Sequence, residues 1–302
     1  MYSLWLIFQL LFCLGLGFVL ARRIPTPLKT CAFQILPYFS YVLLIAIAIE
    51  FFQALQHTAH LNQIMTPALT LAATTSVGAF LCCYALFKVV GHPTHYSKVD
   101  LSLVLGSLIN ISYAFFALMA GVGIAYCAEL WQVSFTLNSW WLLLVFMVLI
   151  GLDLAYAPLD RSWLNWKILL VPLGCIVGSV FGAYVSALLL QQLSFKDALL
   201  FSQGYGFYSM SGIFITELKG AELGSIALIN DLFREIFAIL LMYCLGWRYP
   251  RAAIASAGAT AMDVTLPMVK QACGNDFIPY AMVSGFILSI LAPIAVSILA
   301  AI

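Results

Sequence analysis

The chain has 302 residues, 64 % hydrophobic and 8 % charged, with a formal net charge of +1 and a mean hydropathy of +1.05. Soluble domains carry about 25 % charged residues, so a soluble globular protein and a disordered chain are excluded. Without a basic field to hold phosphates, so is a nucleic-acid binder.

What remains is an all-α polytopic membrane protein, because the apolar runs are long and apolar on every face, unlike the short alternating strands of a β-barrel. In chain order, runs long enough to cross a bilayer lie near 3–20, 33–56, 65–90, 101–128, 140–157, 168–190, 225–246 and 276–301. Two further segments, about 197–217 and 252–272, are apolar but rich in Gly, Ser and Thr. The first run precedes Arg22 and Arg23 instead of following a positive cluster, so it reads as a span and not as a cleaved signal.

Positive charge orients the spans. Arg22, Arg23 and Lys29 make the first loop cytoplasmic; Lys88, Lys98, Arg161 and Lys167 then fall on the same side, and 57–63 and 129–139, without Lys or Arg, fall outside. A full crossing by 197–217 would put Arg248 and Arg251 outside, whereas a segment that dips in and returns keeps them inside. The resulting expectation is about eight transmembrane helices plus two re-entrant or broken-helix segments, with both termini periplasmic at a bacterial inner membrane. A ten-span chain is the alternative.

The first six spans resemble two copies of three. Leu14–Phe18 matches Ala120–Ile124, Ile47–Phe51 matches Ile150–Leu154, and Ser76–Phe80 matches Val180–Tyr184, in order and at offsets near 104. Three crossings per copy invert the second, and inverted repeats are the mark of secondary transporters. The expected organisation is a first three-span repeat over 1–98, a second over 99–193, and a substrate-binding region over 194–302 with two broken segments and two spans.

Six charged residues fall inside apolar stretches: Glu50, Asp153, Asp231, Arg234, Glu235 and Asp263. A charge at the bilayer centre costs about 2.5–3.5 kcal/mol on insertion scales, so each demands a partner, hydration or a use. In Asn230-Asp231-Leu232-Phe233-Arg234-Glu235, helical spacing puts Asp231, Arg234 and Glu235 on one face. Either Asp231 and Arg234 pair and cancel, or the carboxylates meet a cationic substrate or carry a proton. Glu50 and Asp153 occupy matching places in the repeat and are candidates for proton coupling beside Glu235. Gly204–Gly212 and Gly258–Pro267 interrupt apolar runs with residues that free or satisfy the backbone, as discontinuous transporter helices do. Their half-helix ends would offer N–H groups to a carboxylate and C=O groups to an amine. The candidate substrate-binding residues are Glu235, Asp231, Asn230, Tyr208, Ser209, Ser211, Asp263 and Thr265.

No enzymatic site emerges. The eight cysteines are scattered without metal-ligand spacing, His57, His60, His92 and His95 fall in predicted loops, and neither G-x-S-G nor G-x-G-D is present. No metal and no cofactor is expected.

In the C-terminal third the sequence resembles the LysO-type lysine exporter family of bacterial inner membranes. The resemblance is carried by Gly204–Gly212 with Thr216-Glu217, Gly224-Ser225, Asn230–Glu235, Gly258–Asp263 with Thr265-Leu266-Pro267, and Gly285–Ser289. It implies export of L-lysine and of analogues such as thialysine, eight spans and external termini. It also implies functional intramembrane acids, Glu235 within the matching motif and Glu50 as the nearest early-span candidate. The expectation is a secondary active transporter that exchanges lysine for protons within the lipid bilayer, a homo-oligomer being compatible. An exporter of another amino acid or amine is the alternative, and a channel-like or structural membrane subunit ranks below it.

Overall fold

The computed structural model describes residues 2–21, 23, 34–35, 38–39, 41–46, 48–49, 52, 61–90, 101–131, 139–156, 166–262 and 265–301. Among them there is helix and no strand. Three helical stretches, Gln63–Val90, Trp166–Leu189 and Asn275–Ala301, are long and apolar enough to cross a membrane.

The first half contains α1 (Tyr2–Leu20), α2 (Leu61–Val90), α3 (Leu101–Leu130), α4 (Ser139–Tyr156) and α5 (Leu170–Leu189), and residues 41–46 are also helical. These helices meet at small residues, which let backbones approach where no water drives association. Gly17 faces the Val148 carbonyl and Gly151 faces Leu14, while Trp140 Nε1 donates to Gln9 Oε1 at 3.3 Å. From Gln9–Trp140 to Gly17–Gly151 the paired numbers rise together, so α1 and α4 run parallel. Gly121 lies against Ile45 and Ala48, and Phe52 meets Tyr126 edge-on at 6.3 Å, so the direction from Ile45 to Phe52 is parallel to α3.

The α2–α5 crossing is antiparallel. Thr74 and Ser186 hydroxyls bond at 2.6 Å, Gly182 touches Thr75, Gly78 touches Gly178, and Gly174 touches Cys83. The threonine hydroxyls of α2 also bond within their own helix, Thr75 Oγ1 donating to Leu71 O at 2.7 Å and Thr74 Oγ1 to Thr70 O at 2.9 Å.

The second half is two helical hairpins and two long helices. Ser194 caps α6 (Phe195–Ser202) by accepting from Asp197 N–H, at 3.1 Å, while its hydroxyl donates to that carboxylate at 2.6 Å. α6 descends along α5: Phe195 meets Tyr184, and the α6 C-terminus reaches the level of Cys175 and Ser179 through Arg234. The chain turns at residues 203–207, and α7 (Tyr208–Lys219) returns along α8 (Ala221–Leu241), with Gly212 against Leu228 and Gly224 against Thr216. The expected interruption of 197–217 is therefore a helix–turn–helix that goes in and comes back.

Beyond α8 a π-helical turn, Met242–Gly246, leads to α9 (Pro250–Ala257). α9 starts beside the end of α2, where Arg251 sits over Phe87, and stops at Gly258. A 3-10 turn, Gly258–Met262, and a π-helical turn, Val269–Cys273, bring the chain back, so that Cys273 and Phe277 again lie beside Pro250 and Arg251. Last comes α10 (Ile278–Ala301), with Gly285 packed on Met262 and Ala259. The two hairpins enter from opposite ends of the helix bundle.

Candidate functional site

The tips of the hairpins touch. Tyr205 (φ 51°) and Gly206 (φ 85°) form the first tip and Gly258 (φ 65°) opens the second. A left-handed conformation costs a non-glycine residue about 1–2 kcal/mol, so Tyr205 is held there by its surroundings. Its carbonyl accepts from Ala259 N–H at 2.9 Å, and its hydroxyl donates to Gln203 Oε1. A side chain at Gly258 would run into the Tyr205 carbonyl. The contact between tips is thus main chain on main chain.

A break of this kind strands carbonyls at the end of α6 and N–H groups at the start of α7. Helix α8 satisfies both. Asp231, fully buried, accepts from Gly206 N–H at 3.1 Å, from Asn230 Nδ2 at 3.0 Å and from the Ser211 hydroxyl. Arg234, also fully buried, donates to the Ser202 carbonyl at 3.3 Å, to Ser179 Oγ at 2.9 Å and to Cys175 Sγ at 3.2 Å, and lies 6.0 Å from the Tyr205 ring centroid. The anion therefore faces the positive end of one half-helix and the cation the negative end of the other. Asp231 and Arg234 do not bond each other directly; each bonds the hairpin.

Asn230 anchors the turn by donating to Phe201 O at 3.2 Å. Both acceptors of its NH₂ group fix the amide orientation, and its Oδ1 is buried without a hydrogen-bond partner. Glu235, one residue beyond Arg234, is buried at 4 % exposure and acts electrostatically on the half-buried Tyr41 hydroxyl. Next to it on α8, a crevice of about 170 Å³ is lined by Ala48, Met65, Leu118, Val122, Leu228 and Leu232 among others, with Ser225 as its polar residue.

Tyr208, Ser209 and Ser211 are buried at the start of α7. Thr265 is buried in the second break, where its Oγ1 and N–H both bond the Thr260 carbonyl, at 2.9 and 3.1 Å. Thr265 thus closes the returning turn. The structure brings together Asn230, Asp231, Ser211 and the first tip. Glu50 and Asp263 lie outside the described residues, as do the side chain of Asp153 and the four histidines. Ser179, Cys175, Ser202 and Gln203 belong to the same polar centre and carry no local signal, since each is an ordinary small or polar residue in an apolar run. Among the described residues no cluster of His, Cys, Asp and Glu could hold a metal ion.

Discontinuous helices whose tips meet around a buried acid and a buried arginine define a polytopic helical membrane protein with a polar centre at its core. The chain belongs to the lysine exporter LysO family, whose model matches residues 115–300. It is 40 % identical over 160 residues to the lysine exporter LysO of Escherichia coli, a match covering 53 % of this chain and 53 % of that protein. It is 29 % identical over 184 residues to a Haemophilus influenzae protein whose name likewise refers to lysine export, covering 59 % of this chain and 92 % of that protein. The chain spans about half the length of the Escherichia coli relative. No solved structure matches it.

Proposed function

We propose that the protein exports L-lysine, and analogues such as thialysine, from the cytoplasm in exchange for protons. The observation that carries this reading is the meeting of two oppositely inserted hairpins at a buried polar centre, in a member of a lysine exporter family. Non-helical backbone at membrane depth is tolerated only where protein or a water-filled cavity surrounds it, and transporters place substrate sites at such breaks.

The break already has its own charges in Asp231 and Arg234. The groups proposed to meet substrate are therefore Glu235, for a side-chain ammonium, and Asn230 Oδ1, whose carbonyl is open to an N–H donor. The apolar crevice along the Ser225, Leu228 and Leu232 face of α8, one turn before Glu235, suits a methylene chain. Ser209, Tyr208, Thr265 and Asp263 are proposed to frame the carboxylate end, and Glu50 and Asp153 to share proton coupling with Glu235. Asp231 and Ser211 enter as the clamp that sets the tip. The described centre is closed to solvent, so access requires movement of a hairpin.

Eight crossings and an inverted repeat fit this reading. Exchanging the two three-span halves turns the α1–α4 pair into the pairing of Ile45, Ala48 and Phe52 with α3, and turns the antiparallel α2–α5 pair into itself. Moving a cation outward against an inside-negative potential costs about 2.3 kcal/mol per charge per 100 mV, which proton entry would offset. In proteoliposomes, radiolabelled lysine should accumulate against its gradient when a proton gradient is imposed and stop when it is collapsed. Glu235→Gln should abolish that flux with the protein still in the membrane; normal flux from this variant would sink the role given to the carboxylate.

A further inference from the structure

At the base of the second hairpin Arg251 stands in a cage of three aromatic rings. Its guanidinium lies 5.0 Å from the Phe87 ring centroid, 5.2 Å from Phe277 and 5.2 Å from Tyr280. The rings come from α2, the returning arm of the hairpin and α10, so the residue joins three elements. Ring faces hold the positive charge but accept no strong hydrogen bond, and Arg251 Nε is buried without a partner. Among the described residues no carboxylate pairs with this guanidinium. Leaving a charged donor unsatisfied costs more than leaving a neutral one, so the site calls for an acceptor that the described residues do not supply.

Exposed cations outnumber exposed acids around it, Arg248 and Lys88 against Asp276, which precedes Phe277. Arg248 is exposed one turn away, over the Tyr249 ring at 5.4 Å, and exposed Lys88 follows Phe87. Trp247 and Tyr249 flank Arg248, the amphipathic rings that mark a membrane–water interface. The eight-residue α9 begins here, adding its positive end.

We propose that Arg251 is the centre of a binding site for the phosphate of an anionic phospholipid in the cytoplasmic leaflet. It rests on the orientation given under the proposed function only for which leaflet supplies the lipid. A phosphate presents several acceptor oxygens to the fork of a guanidinium, and a basic pocket between helices at that depth is where anionic headgroups bind. Because the outgoing arm of the hairpin supplies Arg251 and the returning arm the Phe277 wall, a bound headgroup would hold its base closed.

The test uses purified full-length protein in a neutral detergent. Thermal melting is followed while phosphatidylglycerol, phosphatidylethanolamine or inorganic phosphate is added. Phosphatidylglycerol should raise Tm saturably, and the other two should not. Arg248→Gln removes an ordinary surface cation and should weaken phosphatidylglycerol by about fivefold. Arg251→Met should weaken it by well over about tenfold. An equal response in Arg251→Met, an equal loss in Arg248→Gln, or a matching shift from inorganic phosphate would each overturn the lipid site. If Arg251→Met does not fold, native mass spectrometry of the unsubstituted protein decides: no preferential retention of phosphatidylglycerol over phosphatidylethanolamine rejects the proposal. None of these readings depends on lysine transport or on sidedness, so their failure is separable from failure of the proposed function.

Discussion

At the residue scale the centre of the molecule is a set of buried polar atoms, most of which bond partners 20 or more residues away in sequence. Asp231 is stabilised by three donors and Arg234 by three acceptors, in a region where each missing bond exposes the full desolvation cost of its partner. Ser211→Ala removes one donor from a buried carboxylate and should lower stability by about 1–3 kcal/mol, read as a lower Tm in detergent. Arg234→Lys should not restore what Arg234→Met loses, because a point-like ammonium cannot span Ser202 O, Ser179 and Cys175 together; equal Tm for the lysine variant and the parent would refute the fork. Gly204→Ala should behave like a core clash, since its new methyl would meet the Asp231 carboxylate and the Ser211 side chain.

At the element scale the two hairpins decide topology. Lys219 sits at the mouth of the first hairpin and Lys270 on the returning arm of the second. In the eight-span arrangement Lys219→Cys should react with a membrane-impermeant maleimide added to intact cells, and Lys270→Cys only after the cells are opened. A ten-span chain would bury the first reaction inside. The base of the second hairpin can be tied directly: a Cβ at Gly246 would lie 3.1 Å from Cys273 Sγ, so Gly246→Cys should form a disulfide with Cys273 under mild oxidation. Burial pushes the Cys273 thiol up to about 12. Its thiolate fraction therefore rises as pH rises toward that value, and the cross-link should form faster at higher pH. Failure to cross-link at any pH would contradict the return of the chain beside α9.

For the whole molecule, small residues set the frame. Gly78 and Gly178 meet backbone to backbone at the α2–α5 crossing, with Cys83 reaching the Arg251 carbonyl at 3.4 Å and Ser76 facing the Arg234 carbonyl at 3.5 Å. α2 thus touches both the base of the second hairpin and the helix that clamps the first. Gly78→Leu should force α2 and α5 apart and reduce the yield of folded protein in the membrane, measured by fluorescence size-exclusion profile; an unchanged profile would show that the crossing tolerates separation.

Much of this was legible in the amino acids alone. Long apolar runs specify an all-helical membrane protein because an isolated backbone can satisfy itself in lipid only as a helix. Gly, Ser and Thr clusters at 204–212 and 258–267 marked the breaks, since those residues supply left-handed φ values and hydroxyls. Lys and Arg placement favoured segments that dip and return, and Asn230–Glu235 stood out as charge in an apolar helix. The sequence could not say what those charges do. Helical spacing offered an Asp231–Arg234 pair within α8, and the fold instead turns both side chains to the ends of a different pair of helices, where backbone groups left unpaired by the break take up their hydrogen bonds. Nor could it tell that the two tips share a hydrogen bond between Tyr205 and Ala259, or that Arg251, legible only as a topology marker, stands among rings from three elements. Composition and spacing determine which segments are apolar helices and where they break; which polar group faces which is decided only when distant segments pack, since Asp231 and Arg234 take most of their partners from other parts of the chain.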